Sequence, residues 1–63
     1  MRILGLDPGT ASTGYGIIDA VEGQIQVVTY GVIRTEAGEP APKRLQLIYE
    51  ELNDLLLAFK PDT

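Results

Sequence analysis

Seven apolar residues near the end of this 63-residue chain do most to limit what it can fold into. Leu45, Ile48, Tyr49, Leu52, Leu55, Leu56 and Phe59 recur at helical spacing, and on a turn of about 3.6 residues they form one continuous stripe. The spacing predicts a helix over 42–60, with Pro42 in its first turn and Lys60-Pro61 at its end. Glu50, Glu51 and Asp54 fall on the opposite side, facing water, and Leu47 and Leu57 are too scattered there to make a patch. A lone helix of this length is marginal in water, so the stripe needs a second layer to cover it.

The preceding residues can supply that layer. Ile3, Leu4 and Leu6 around Gly5 predict a first strand over 2–7, and the consecutive apolar residues predict cover on both of its faces. Pro8-Gly9 then sets a turn, with Gly9 supplying positive φ, and a small polar loop covers 10–13. A second strand is expected over 14–21 and a hairpin turn at Glu22-Gly23. The third strand, over 24–35, is rich in β-branched and aromatic residues, and Gly31 in it marks a bulge or a close backbone approach. A loop over 36–41 leads to the helix. The expected fold is a three-stranded antiparallel meander followed by one amphipathic helix. That β-β-β-α order is unfinished: the helix reads as a crossover leading to a fourth strand parallel to the first, starting where Pro61-Asp62-Thr63 stand. Until that strand is in place, the edge of the first strand should invite pairing with another chain.

Composition narrows the chemistry. The chain has no cysteine and no histidine, which excludes a disulfide, a thiolate nucleophile, a Cys/His zinc site and an imidazole base within it. A metal bound here would be a hard cation on oxygen ligands, magnesium or manganese. The net charge of −4 argues against nucleic-acid binding by this segment alone, though not by a longer protein containing it. No apolar run is long enough to span a membrane, and the chain enters a strand at once without a signal-peptide layout; a cytoplasmic protein is expected.

Asp7 is the residue to explain. An acid closing an apolar strand is costly to keep charged if buried without a cation. As bare residue types, Asp7-Pro8-Gly9 is an ordinary turn tripeptide. Its context is sharper, because small residues follow and lead into Thr13-Gly14-Tyr15-Gly16, where ligand and backbone can approach closely. Lys43 and Arg44 sit in the first helical turn, where the helix dipole favours anions. Either both are simply solvated or they contact a phosphate backbone. Tyr15, Tyr30 and Tyr49 lie in apolar periodic segments and are expected in the core rather than stacked on bases. Arg34 reads as a solvated edge charge.

The stretch LGLDPGTASTGYGIID resembles the opening of the RuvC family of Holliday-junction resolvases. The likeness continues through YGVIRT, PKRLQLIYEEL and FKPD, over essentially the whole chain. The wider ribonuclease-H-like superfamily, including pre-ribosomal-RNA nuclease-like proteins and the RuvC-like domains of CRISPR effectors, opens similarly but lacks the pairing of DPG with TGYG. The resemblance implies an α/β, ribonuclease-H-like fold, of which residues 1–63 are the N-terminal part of a single nuclease domain, cut before the fourth strand. It implies a crossover junction endodeoxyribonuclease that works as a homodimer, alongside a branch-migration helicase complex, and nicks four-way DNA junctions symmetrically in recombination and repair. It also implies two magnesium ions per subunit (manganese could substitute) held by four acids, with Asp7 the first and the bridge between the ions. The second acid is a Glu in the fourth strand and the last two are Asp near the C-terminal helix; Asp19, Glu22 and Asp62 do not match these positions. With one carboxylate of four, the segment alone is expected to be inactive. Two rivals carry other functions: the phosphate loop of a sugar-kinase or actin-like ATPase, which also uses Asp-x-Gly-Thr, and a non-catalytic truncated module.

Overall fold

In the computed structural model, which describes residues 1–9, 11–36 and 38–63, three strands and one helix follow in order: β1 (Arg2–Pro8), β2 (Ser12–Val21), β3 (Gln24–Arg34) and α1 (Ala41–Phe59). The strands form one antiparallel sheet in chain order. This is the expected meander and helix, with β2 starting earlier than predicted: Ser12 and Thr13, expected in a loop, pair with Arg34 and Ile33. Thr10 of that loop, and Ala37 of the expected 36–41 loop, lie outside the described residues.

The β2–β3 connection is a two-residue hairpin between Val21 and Gln24, with Glu22 at φ 52° and Gly23 at φ 78°. Two successive positive φ values define a type I′ turn, whose twist matches that of the strands it joins. Gly9 contradicts the turn expected of it, because its φ is not in the left-handed region. Close approach is what excludes a side chain there, since a Cβ on Gly9 would lie 2.6 Å from the Ser12 carbonyl oxygen. Gly31 is no bulge either. The extra residue is Val28, between the pairs Ile17–Thr29 and Ile18–Val27. At Gly31 a Cβ would sit 2.8 Å from Cζ of Tyr15, so the space beside Gly31 is filled by a tyrosine ring rather than by backbone.

Ile17 and Ile33 are fully buried and Thr13 nearly so. All three lie on the sheet face that α1 covers through half-buried Ile48, Leu52, Leu55 and Phe59. The other three residues of the predicted stripe, Leu45, Tyr49 and Leu56, are exposed. The stripe is wider than one three-stranded sheet can cover, so its flank stays in water. The second sheet face carries Ile3, Ile18, Ile25, Val27, Tyr30 and Val32 and has no covering layer among the described residues. The cover on both faces expected for β1 is therefore present on one, and Tyr30 and Tyr49, expected in the core, are exposed while Tyr15 is half-buried.

After α1 the chain caps itself through Lys60 in the left-handed region (φ 50°), whose N–H donates to the Leu56 carbonyl. It then runs back to β1. The Thr63 N–H donates to the Arg2 carbonyl at 3.3 Å, and the Leu4 N–H donates to the Thr63 carbonyl at 2.8 Å. One residue bonding to both neighbours of Ile3 is the rung of a parallel ladder, with Thr63 opposite Ile3. The edge expected to be open is thus already paired at its start.

The Arg2 guanidinium forks onto Asp19 on β2, Nε to Oδ1 at 2.8 Å and Nη2 to Oδ2 at 2.9 Å. This hydrogen bonding, reinforced by the opposite charge, holds the Asp19 carboxyl below its ordinary value. A lowered carboxylate contributes stability above its unfolded pKa of about 3.9 and loses it as pH falls through the folded value. Asp19→Asn should therefore flatten the acid limb of a stability–pH curve measured by urea unfolding; a limb unchanged in slope and midpoint would contradict this.

Candidate functional site

Asp7 is the last residue but one of β1, on the open sheet face and directly across from Gly14. An added Cβ on Gly14 would be 3.8 Å from the Asp7 Cβ, so the carboxylate has a bare strand beside it. Gly5, Leu6, Asp7, Gly14, Tyr15, Gly16 and Gly31 line a shallow depression of about 430 Å³. Asp7 is exposed, and among the described residues no hydrogen bond or ion pair engages its carboxylate. The burial anticipated from the apolar strand is absent at its end, where Leu6, Asp7 and Pro8 are all exposed.

The other acids are placed elsewhere. Asp19 lies at the far end of β2, opposite Arg2 and held by it; Asp62 accepts a hydrogen bond from the Arg2 main-chain N–H at 2.7 Å; and Glu22 sits in the hairpin. Among the described residues no three acidic side chains gather into a cluster that could hold a metal. An exposed carboxylate oxygen suits a hard divalent cation in type, but a single one falls short of the ligand count such an ion needs from a protein cage.

The two basic residues at the start of α1 behave differently. Lys43 is exposed and pairs with Glu39 at 3.4 Å, an i,i+4 contact. Arg44 is half-buried, and its Nε donates to Thr35 Oγ1 at 3.3 Å, tying the helix to the end of β3. Arg44 also lines a recess of about 250 Å³ with Gly9, Ala41, Leu45 and Ile48. The structure therefore brings the basic turn of α1 beside the loop that follows Asp7. Arg34 is exposed, as expected.

Arg2 went unpredicted. Besides its fork onto Asp19, its Nη1 donates to the Phe59 carbonyl at the C-terminus of α1, at 3.0 Å. The one available signal was opposite charge near the outer ends of two strands that a meander must pair. That pairing becomes visible only once the loop between them has set the register.

An acid at the end of the first strand of an antiparallel meander, followed by a crossover helix returning to that strand, is the opening of a ribonuclease-H-like fold. A family model described as "Crossover junction endodeoxyribonuclease RuvC" matches residues 3–63. Curated relatives carrying the same description include that of Syntrophomonas wolfei, 52% identical over 98% of this chain and 36% of its own length. The protein of Brevibacillus brevis is 50% identical over 98% of this chain and 37% of its own length. That of Moorella thermoacetica is 46% identical over all of this chain and 38% of its own. The chain belongs to the RuvC family, and it spans little more than a third of the length of these relatives.

The two glycines around Asp7 should respond unequally. Gly9→Ala sets a Cβ against fixed backbone and should cost about 1–3 kcal/mol, as overpacking does. Gly14→Ala places its Cβ in ordinary contact and should be close to neutral. Urea unfolding of both variants checks this, and equal losses would contradict it.

Proposed function

We propose that residues 1–63 are the N-terminal part of a single nuclease domain in a Holliday-junction resolvase, a divalent-metal-dependent endonuclease that nicks four-way DNA junctions symmetrically in recombination and repair. Asp7 is the catalytic residue this chain contributes, as a metal ligand. The observation that carries the reading is the placement of Asp7: exposed, on a glycine-lined face, at the end of the strand that the chain rejoins in parallel at Thr63. In a ladder continued from the Thr63–Ile3 rung, the fourth residue after Thr63 lies beside Asp7, the fourth after Ile3, and on the same face. A second acid ligand on that strand would meet the first there.

Magnesium or manganese, when bound, supplies an activated water and neutralises charge at the leaving oxygen of a phosphodiester. Asp7's own part is to present a carboxylate that, among the described residues, neither a side-chain partner nor a counter-ion engages. The bare strands at Gly14 and Gly16 leave room for a phosphate backbone to approach. Lys43 and Arg44 are proposed as backbone contacts, supported by the recess Arg44 shares with Gly9, two residues past Asp7. A homodimer acting in the cytoplasm with a branch-migration helicase complex completes the reading by family membership. The family match weighs against the rival phosphate loop of a kinase-like ATPase.

The test uses the protein at the length of its relatives. Asp7→Asn should lower junction cleavage at least as far as loss of an outer-shell metal partner does, about 10–100-fold or more, while junction binding persists. The 63-residue chain alone should not cleave with magnesium or manganese present. Undiminished cleavage by the variant, or Asp7-dependent cleavage by the short chain, would overturn the proposal.

A further inference from the structure

Arg2 concentrates more long-range contacts than its place at the start of an edge strand requires. Its side chain joins β1 to Asp19 on β2 and to the Phe59 carbonyl at the end of α1. Its main chain receives the returning segment: the N–H donates to Asp62 Oδ2 at 2.7 Å, and the carbonyl accepts from the Asp62 N–H at 2.7 Å and the Thr63 N–H at 3.3 Å. We propose that Arg2 is a positioning residue: by clamping the end of α1 to the start of β1, it sets the register of the parallel strand that begins at Thr63, and so decides which residue of that strand stands beside Asp7. This rests on the functional reading above.

Three features make the clamp a register device. Only Lys60 and Pro61 separate Phe59 from Asp62, and Lys60 is folded into a left-handed cap, so the link has no slack. Whatever fixes Phe59 therefore fixes Asp62 and Thr63. The contact is also directional: the Phe59 carbonyl is one of the unpaired groups at the negative end of the helix, where a cation is favoured. Finally, the planar guanidinium spends two donors on Asp19 and still turns a third toward Phe59, which a lysine ammonium on a flexible stem cannot reproduce. Register matters here because a slip of one residue sends every side chain of a strand to the opposite face. The residue meant for Asp7 would then point toward α1.

The Leu4 amide, which donates to Thr63, reports whether the rung opposite Ile3 is closed, and hydrogen exchange in the full-length protein reads it. In Arg2→Met, exchange at Leu4 should quicken by about tenfold or more, while amides within the β2–β3 ladder change by less than about twofold, as a local opening requires. Arg2→Lys should resemble Arg2→Met, because charge without the fork does not hold two elements. Asp19→Asn, which leaves the Phe59 contact in place, should quicken Leu4 less and keeps the test open if Arg2→Met is too unstable to study. In the same variants the manganese concentration giving half-maximal cleavage should rise while junction affinity stays unchanged. An unaltered Leu4 amide, or acceleration equal at Leu4 and throughout the β2–β3 ladder in Asp19→Asn, would overturn the assignment. These outcomes are separate from the Asp7→Asn result, which judges the nuclease reading alone.

Discussion

The contacts at Arg2 hold the end of the helix of this chain against the first strand of its sheet. The helix is legible as an amphipathic layer and the sheet as an apolar one, but an apolar face specifies only that they stack, since burial has no direction. The angle and offset come from directional bonds. Here these are the guanidinium on the Phe59 carbonyl at one end of the helix and Arg44 Nε on Thr35 Oγ1 at the other, with the fork on Asp19 and the main-chain rung between Thr63 and the neighbours of Ile3. Together they turn β1 from the first strand of a meander into a shared strand, antiparallel to β2 on one side and parallel to the returning chain on the other. That change gives β1 a neighbour on each side at Ile3, four residues before Asp7.

The physical character of Asp7 follows from the same arrangement. A carboxylate closing an apolar strand suggests a buried charge in need of a cation. In the fold the helix covers the face opposite Asp7, and glycine fills the cross-strand position on its own face. The carboxylate is therefore exposed and, among the described residues, unpaired. Asp19 shows the contrast, because its fork with Arg2 commits it to structure and takes it out of contention as a ligand. One acid is held by a guanidinium, and the other is exposed on the open face.

How much of this could be read beforehand depended on the range of the interaction. The helix over 41–59, the three strands and the Glu22-Gly23 hairpin all follow from local periodicity and turn chemistry, and all are present. The place of Asp7 near the end of the first strand and beside small residues was legible because Pro8-Gly9 and Thr13-Gly14-Tyr15-Gly16 are local in sequence. The misplacements share a different origin. Tyr30, Tyr49, Leu45 and Leu56 have core-like spacing, yet are exposed because a single helix covers a single sheet face here. The bulge fell at Val28, a residue with no conformational signature, while Gly31 serves a tyrosine ring instead. Arg2 was invisible because its partners are 17, 57 and 60 residues away and become neighbours only in the folded chain.

Membership of the RuvC family goes with a sheet that, among the described residues, has one uncovered face and one parallel rung to the returning chain at Thr63. The central claim is that β1 is already the shared strand, with Thr63 set opposite Ile3. Nuclear Overhauser contacts between main-chain protons test it most directly. Cross-strand contacts linking Asp62 and Thr63 to Arg2, Ile3 and Leu4 in parallel order are predicted. Contacts in another register, or none between these segments while the β1–β2 and β2–β3 contacts persist, would contradict it.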